Sequence, residues 1–385
     1  MTNLVEQIQA AYAADQQHAG EMVSDVTELP LSYEAITDEW LTAALCREHH
    51  GARVLAHQLG APDVGSSNRC KIHLEYNEAG QQAKLPTALF CKASHDLANR
   101  IVLGISGGAH IEVSFYNEMR PRLGIEAPYS YFARYNDHSF NSMIMLGDIS
   151  EEVTEFCSHK TVMTRARAES QIRLLAELHG HCYSRQALVD AIRVLPTWPE
   201  YFMGTLAFGM KEGSEHGFLA AEEVVPASVY KRHREVWPAT EASVRRHEQL
   251  PHTLAHGDVH LKNWYVAGNG EMGLSDWQCA SRGHWGRDLA YTMSTALTVE
   301  DRRLWERELI ELYVDRLHAN GGPKVVFGEA FDHYRQQMMS ALTWWTITLT
   351  PAPGLPEMQP RDITLEFIRR ISTAIEDLES LDSFG

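Results

Sequence analysis

One segment constrains the fold more than any other. Residues 254–276 read LAHGDVHLKNWYVAGNGEMGLSD, an apolar run broken by a polar loop, then a strand pair, then a second polar loop. Asn263 follows five positions after Asp258, and Asp276 comes 13 positions after Asn263. A loop, a tight hairpin and another loop place all three polar groups at one rim of a small sheet. Carboxylate and amide oxygens are hard ligands, suited to Mg²⁺. Phosphoryl transfer needs a carboxylate near the acceptor hydroxyl and ligands for the metal that bridges the phosphates. Asp258 suits the first task, Asn263 and Asp276 the second. A single loop aspartate is ordinarily a cap or a turn residue; the conjunction carries the signal.

The rest of the chain narrows the class. At 385 residues it is too long for one small core, so two or three domains are expected. A formal charge of −17 argues against nucleic acid as partner, because phosphate backbones demand a basic face, and against an anionic membrane surface. The opening MTNLVEQIQAAYAADQQHAGEM has neither the basic nor the apolar region of a signal peptide. The longest uncharged apolar-rich run, 338–350, is 13 residues, short of the roughly 20 that span a bilayer. Six cysteines without a CxxC pair fit reduced thiols, so a cytoplasmic location is expected.

Texture changes along the chain. A polar helix and a second helix over SYEAITDEWLTAALCREH precede strands at ARVLAHQL and CKIHLEYN, joined by GAPDVGSSN. NEAGQQ reads as a hairpin-like turn and PTALFCKAS as the third strand. A helix is expected over 109–123, with Ile111, Phe115 and Met119 four apart, then strands near YSYFARYND and SMIMLGDI. Beyond Asp148 the chain is mostly helical, with Ala168, Ile172, Leu175 and His179 on one stripe and short strands only at NWYVA and MGLSDW. The expectation is an α+β chain: a strand-rich lobe over 1–147 and a helical lobe over 148–385.

HGDVHLKN followed by LSDW resembles the catalytic and metal-binding segments of the aminoglycoside phosphotransferase and choline kinase group, a branch of the protein-kinase-like fold. The choline-kinase-like and ecdysteroid-kinase-like small-molecule kinases are nearest in texture, over roughly residues 50–350. The resemblance implies a bilobal ATP- and Mg²⁺-dependent enzyme, with Asp258 as catalytic base and Asn263 and Asp276 as metal ligands. His256 would brace the loop, and Gly257 would permit its turn. The group also requires a strand lysine paired with a helix glutamate; Lys92 in LFCKAS and Glu112 stand in the right order. LLAELHGHC resembles the helix under the catalytic loop, with Leu178 and His179 as core. Asp288 in GRDLAY would brace that loop through backbone N–H groups. There is no GxGxxG between the first strands; Gly65, Ser66, Ser67 and Asn68 would cover the phosphates instead. MLGDIS would be the lobe connection that meets the adenine.

Two rivals differ in kind. His247, His252, His256 and His260 cluster within 14 residues, but Pro251 and Gly257 keep them off one helical face, which argues against a zinc hydrolase. A nucleotide-binding pseudokinase ordinarily lacks a base or metal ligand, whereas Asp258, Asn263, Asp276, Lys92 and Glu112 are all present. For the acceptor, Trp264, Trp277, Trp285, Trp344 and Trp345 point to a hydroxylated, partly apolar small molecule, a choline-like alcohol included.

Overall fold

In the first of two units, residues 1–121 with 128–151, six strands form one antiparallel sheet. They are β1 (Val54–Leu59), β2 (Asp63–Val64), β3 (Asn68–Tyr76), β4 (Ala88–Ala93), β5 (Ser130–Tyr135) and β6 (Ser142–Gly147). Their order is β1-β3-β4-β6-β5, with β2 paired to β3. The structure, a computed structural model, describes residues 2–206, 209–350 and 359–384.

The sequence of β3 shows why the sheet has one greasy face. Cys70, Ile72, Leu74 and Tyr76 are buried while His73 and Glu75 are exposed, the two-residue period of a strand. They join Leu89 and Cys91 of β4 and Met143 and Met145 of β6 in one core with Trp40 and Leu41. Those last two come from the helix Asp38–Leu45, whose start is capped by Thr37: its Oγ1 accepts from the Trp40 N–H at 3.0 Å. Lys92 is one residue out of phase with Cys91 and so points to the opposite face, where it meets the helix Gly108–Ser114.

Local details differ from the sequence expectation. NEAGQQ is not a hairpin turn but a helical turn, Glu78–Gln82, whose cap is Asn77; its Oδ1 accepts from the Gly80 N–H at 3.1 Å. An asparagine that suits a turn suits an N-cap for the same reason. The helix expected over 109–123 runs as Gly108–Ser114, a π turn Phe115–Met119 and a 3₁₀ turn Arg120–Arg122; Pro121 supplies no N–H to continue a regular ladder. A further helix, Leu97–Ser106, precedes it. Its buried face includes Asn99 and Arg100, which hide it from a hydrophobic pattern.

The second unit comprises residues 122–127 with 152–385. Its strands are β7 (Val153–Phe156), β8 (Thr253–Ala255), β9 (Trp264–Ala267), β10 (Met272–Leu274) and β11 (Ser281–Gly283). They make a three-stranded sheet, β10-β9-β7, and a separate β11-β8 pair, all antiparallel. At three or four residues, β7, β8 and β11 are too short to announce themselves by alternation. The helix Arg165–Ser184 packs on Val299–Ala319, and Gly286–Ala296 packs on Phe327–Leu349. The expected stripe of Ala168, Ile172, Leu175 and His179 is buried. No described helix is long and apolar enough to cross a membrane.

Candidate active site

The two polar loops are nested between paired strands. β8 leads into the loop 256–263, the β9–β10 hairpin follows, and the loop 275–280 leads into β11, which pairs back onto β8. Each loop is therefore anchored at both ends. Between those anchors Val259 and Leu261 are fully buried, and the Trp264 indole N–H donates to the Val259 carbonyl at 3.0 Å. Alternation thus drives the apolar residues inward and leaves Asp258 half-buried at the rim.

Gly257 is required by two independent facts. Its φ is +81°, and a Cβ there would stand 2.4 Å from the Cys279 carbonyl oxygen in the facing loop. Its neighbour His256 is neutral, because burial lowers its pKa. The ring's Nδ1 accepts from the Asp258 N–H at 3.2 Å, so Nε2 carries the proton and donates to the Ser275 carbonyl at 3.0 Å. His256 therefore ties the first loop to the second.

Beneath the loop lies Asp288, fully buried at the start of the helix Gly286–Ala296. Its carboxylate accepts from the backbone N–H groups of His256 at 2.6 Å and Gly257 at 3.0 Å. His179 Nε2 stands 3.3 Å from it, and His179 Nδ1 is 2.6 Å from the Tyr313 hydroxyl, so this histidine is a polar brace and not only core filling. Arg287, also fully buried, donates to the Gly257 carbonyl at 2.6 Å and lies 3.6 Å over the Trp198 ring. The peptide at Gly257 is thereby held from both sides.

Asp258 is ionised at neutral pH. Burial alone would raise its pKa, but the charge and hydrogen bond of His260, with the charge of Arg287, bring it down to about 2. Three side chains from two elements fix the carboxylate. The Tyr291 hydroxyl donates to Oδ1 at 3.2 Å, Asn263 Nδ2 donates to Oδ2 at 3.2 Å, and His260 Nε2 stands 3.5 Å from Oδ2. Burial pushes the Tyr291 phenol well above its ordinary pKa, as does the charge of Asp258, so it remains a donor.

Asn263 immediately precedes β9, and Asp276 follows β10 by two residues. The Ser275 N–H and hydroxyl both donate to the Asn263 carbonyl, at 2.9 and 3.0 Å, so the residue before Asp276 is tied to Asn263. Asn263 Nδ2 also donates to the Asp258 carbonyl at 2.7 Å. With its nitrogen turned to Asp258, the planar amide directs Oδ1 the other way, as an oxygen ligand requires. Asp276 has φ +66°, a left-handed conformation costing of order 1 kcal/mol, which aspartate bears better than most residues. Hard oxygen donors of this kind fit Mg²⁺.

In the first unit, Lys92 Nζ and Glu112 Oε1 are 2.7 Å apart and both side chains are buried. Of the turn residues, Gly65 is exposed, Ser66 is half-buried, and Ser67 and Asn68 are buried. Asn68's side chain is already committed. Nδ2 donates to Asp96 Oδ2 at 2.6 Å, and Oδ1 accepts from the His95 and Asp96 N–H groups at 2.8 and 3.1 Å.

The clustered histidines have separate partners. His247 bonds to Gln337, His252 to the His247 carbonyl, His256 to Ser275, and His260 lies beside Asp258. Trp264, Trp277, Trp285 and Trp345 are core; Trp344 alone of the five is half-buried. Sequence reading missed Arg287 and Tyr291, although both sit in GRDLAY, one position before and three after Asp288. It also missed Tyr201, whose hydroxyl lies 3.5 Å from Cys279 Sγ and whose ring packs near Trp344.

These two units, a small antiparallel sheet and a mostly helical body, define an α+β fold of the protein-kinase-like class. Residues 153–325 match the model of a family described as a phosphotransferase enzyme family, in line with the sequence resemblance. Among solved structures, a Ralstonia eutropha protein provisionally described as an aminoglycoside phosphotransferase is 14% identical, covers 88% of this chain and 98% of that one, and has a TM-score of 0.50. A Plasmodium vivax ethanolamine kinase is 12% identical (83% of this chain, 81% of that one, TM-score 0.46). A macrolide 2′-phosphotransferase from Brachybacterium faecium is 13% identical (81% and 99%, TM-score 0.42). Likeness at such identity is likeness of fold. No curated protein matches the chain.

Proposed function

We propose that the protein is an ATP- and Mg²⁺-dependent kinase that phosphorylates a hydroxyl of a small molecule, with Asp258 as general base. The carrying observation is the state of Asp258: an ionised carboxylate at the rim of two anchored loops, fixed by Tyr291, Asn263 and His260. Such a group can accept a hydrogen bond from an acceptor hydroxyl and hold its oxygen for attack on phosphorus. With a pKa of about 2, it is a weak base. It therefore takes the proton late, once bonding to phosphorus has made the hydroxyl acidic.

Asn263 Oδ1 and the Asp276 carboxylate would hold Mg²⁺, which when bound supplies positive charge against the phosphates. Lys92, kept in place by Glu112, would orient those phosphates, and the turn around Gly65, Ser66 and Ser67 would cover them with backbone N–H groups. Asn68 would serve that turn from behind, as its anchor. The acceptor we propose is neutral and partly apolar. Tyr201 borders the loop that carries Cys279 and packs near the half-buried Trp344, and the charges acting on Asp258 come from His260 and Arg287. Presence of the whole residue set favours an enzyme over a pseudokinase.

Incubation with γ-labelled ATP, Mg²⁺ and a panel of alcohols, amino alcohols, sterols and aminoglycosides tests this reading. Label should pass to a neutral, partly apolar alcohol, and Lys92→Ala should lower the turnover. Tight ATP binding with label on no acceptor would point to the pseudokinase; transfer that survives Asp258→Asn unchanged would remove the assigned base.

A further inference from the structure

The polar N-terminal helix, Thr2–Asp15, has no part in the chemistry above, yet it is bound to one neighbour by two different contacts. Ile8 is fully buried, and its Cδ1 lies 3.0 Å from where a Cβ on Gly104 would stand. The helix Leu97–Ser106 therefore lacks a side chain where the two meet. At the other end, Asp15 accepts from Arg100 Nη1 at 2.5 Å. Arg100 is fully buried; it also donates to the Ser94 and Ser139 carbonyls at 3.0 and 2.9 Å, and lies 5.2 Å over the Tyr12 ring. A buried guanidinium whose carboxylate partner is removed is left uncompensated, so this contact holds the second helix firmly.

That second helix in turn holds the turn before β3. Asn99, adjacent to Arg100 and buried, donates Nδ2 to the Gly65 carbonyl at 2.8 Å. At the far side of the turn, Asn68 grips the start of the same helix through His95 and Asp96. Both ends of the turn are thus tied to one helix start, and Arg100 ties that start to Asp15.

We propose that the N-terminal helix is a clamp that positions the phosphate-covering turn, acting through Asp15–Arg100 and Asn99–Gly65. This rests on the reading that Gly65, Ser66 and Ser67 cover the terminal phosphates of a nucleotide. Asp15 and Asn99 are positioning residues. Their loss lets the turn move away from the β- and γ-phosphates while the base and α-phosphate sites stay as they are.

The test compares two nucleotides on the full chain by titration calorimetry with Mg²⁺. Asp15→Asn and Asn99→Ala should each weaken ATP at least fivefold and leave AMP within twofold, and Asp15→Glu should restore ATP binding. Leu188→Ala, a core change in the helical unit, should lower the urea midpoint without separating the two ligands. Where Asp15→Asn does not fold, Ile8→Val loosens the same contact more gently and carries the measurement. ATP and AMP weakening together would make the clamp merely structural, and unchanged ATP affinity would remove it; either overturns the proposal. Wild-type protein that binds neither nucleotide would overturn the kinase reading itself, and the clamp with it.

Discussion

Replacing Asp288 with asparagine keeps the side chain's volume and removes one buried charge. Two different carboxylate oxygens accept the His256 and Gly257 backbone N–H groups, at 2.6 and 3.0 Å. Asparagine has one acceptor oxygen, so one of these N–H groups must face an NH₂ group. A hydrogen bond to a charged partner contributes about 1.5–3 kcal/mol. The change also strips Arg287, fully buried, of its strongest stabilising charge. Losing one partner of buried opposite charges costs about 3–5 kcal/mol, and the lost hydrogen bond falls within that range. Asp288→Asn should therefore unfold about 3–5 kcal/mol more easily in urea at pH 7.5, and loop 256–263 should lose protection in amide exchange. Burial alone would raise the pKa of Asp288, but His179, His256 and Arg287 hold it below the ordinary value. Its contribution is consequently present above the usual carboxylate range and lost as pH falls through the lowered value. The gap between the two proteins should persist from pH 7.5 to 5 and close only in stronger acid. A loss under about 1 kcal/mol with unchanged exchange would refute the bracing role.

Other expectations follow from the same geometry. Gly257→Ala combines φ +81° with a Cβ 2.4 Å from the Cys279 oxygen, so backbone must move; activity should fall at least tenfold, and an active, equally stable variant would contradict the loop contact. Asp258→Asn should keep nucleotide affinity and lose transfer by roughly 10²–10⁴, whereas Asp276→Asn should weaken Mg²⁺-dependent binding; calorimetry with ATP separates them, and identical behaviour would erase the division of roles. His247 is held to about 3 by burial, and His284 well below its ordinary value. Well below pH 6.5 the unfolded chain protonates both of these imidazoles while the native one refuses, so the pair should lower stability by up to about 2.7 kcal/mol per pH unit as acidity rises. Urea midpoints equal at pH 6.5 and 5 would show that these imidazoles are not neutral and buried.

Much of this protein is legible in the order of its residues. Period-two burial in Asn68–Tyr76, the stripe on Arg165–Ser184 and the loop–hairpin–loop around Asp258, Asn263 and Asp276 are local patterns. They depend on neighbours a few positions apart, so a linear reading reaches them. The short strands β8 and β11 and the helix Leu97–Ser106 are not local in that sense. A three-residue strand exists because its partner lies 28 residues away, Leu254 opposite Arg282, for instance. The buried polar residues Asn99 and Arg100 are tolerated only because Gly65 and Asp15 receive them.

By itself the sequence determined the fold class and which side chains could bear the chemistry, since residue type and spacing already limit both. Only the tertiary structure decided what state those side chains are in. Asp258 is ionised because His260 and Arg287 act on it and Tyr291 holds its oxygen, and neither Arg287 nor Tyr291, both on a later helix, is a neighbour that spacing alone would nominate. Charge and hydrogen bonding act through space at a few ångströms, and chain order does not measure that distance.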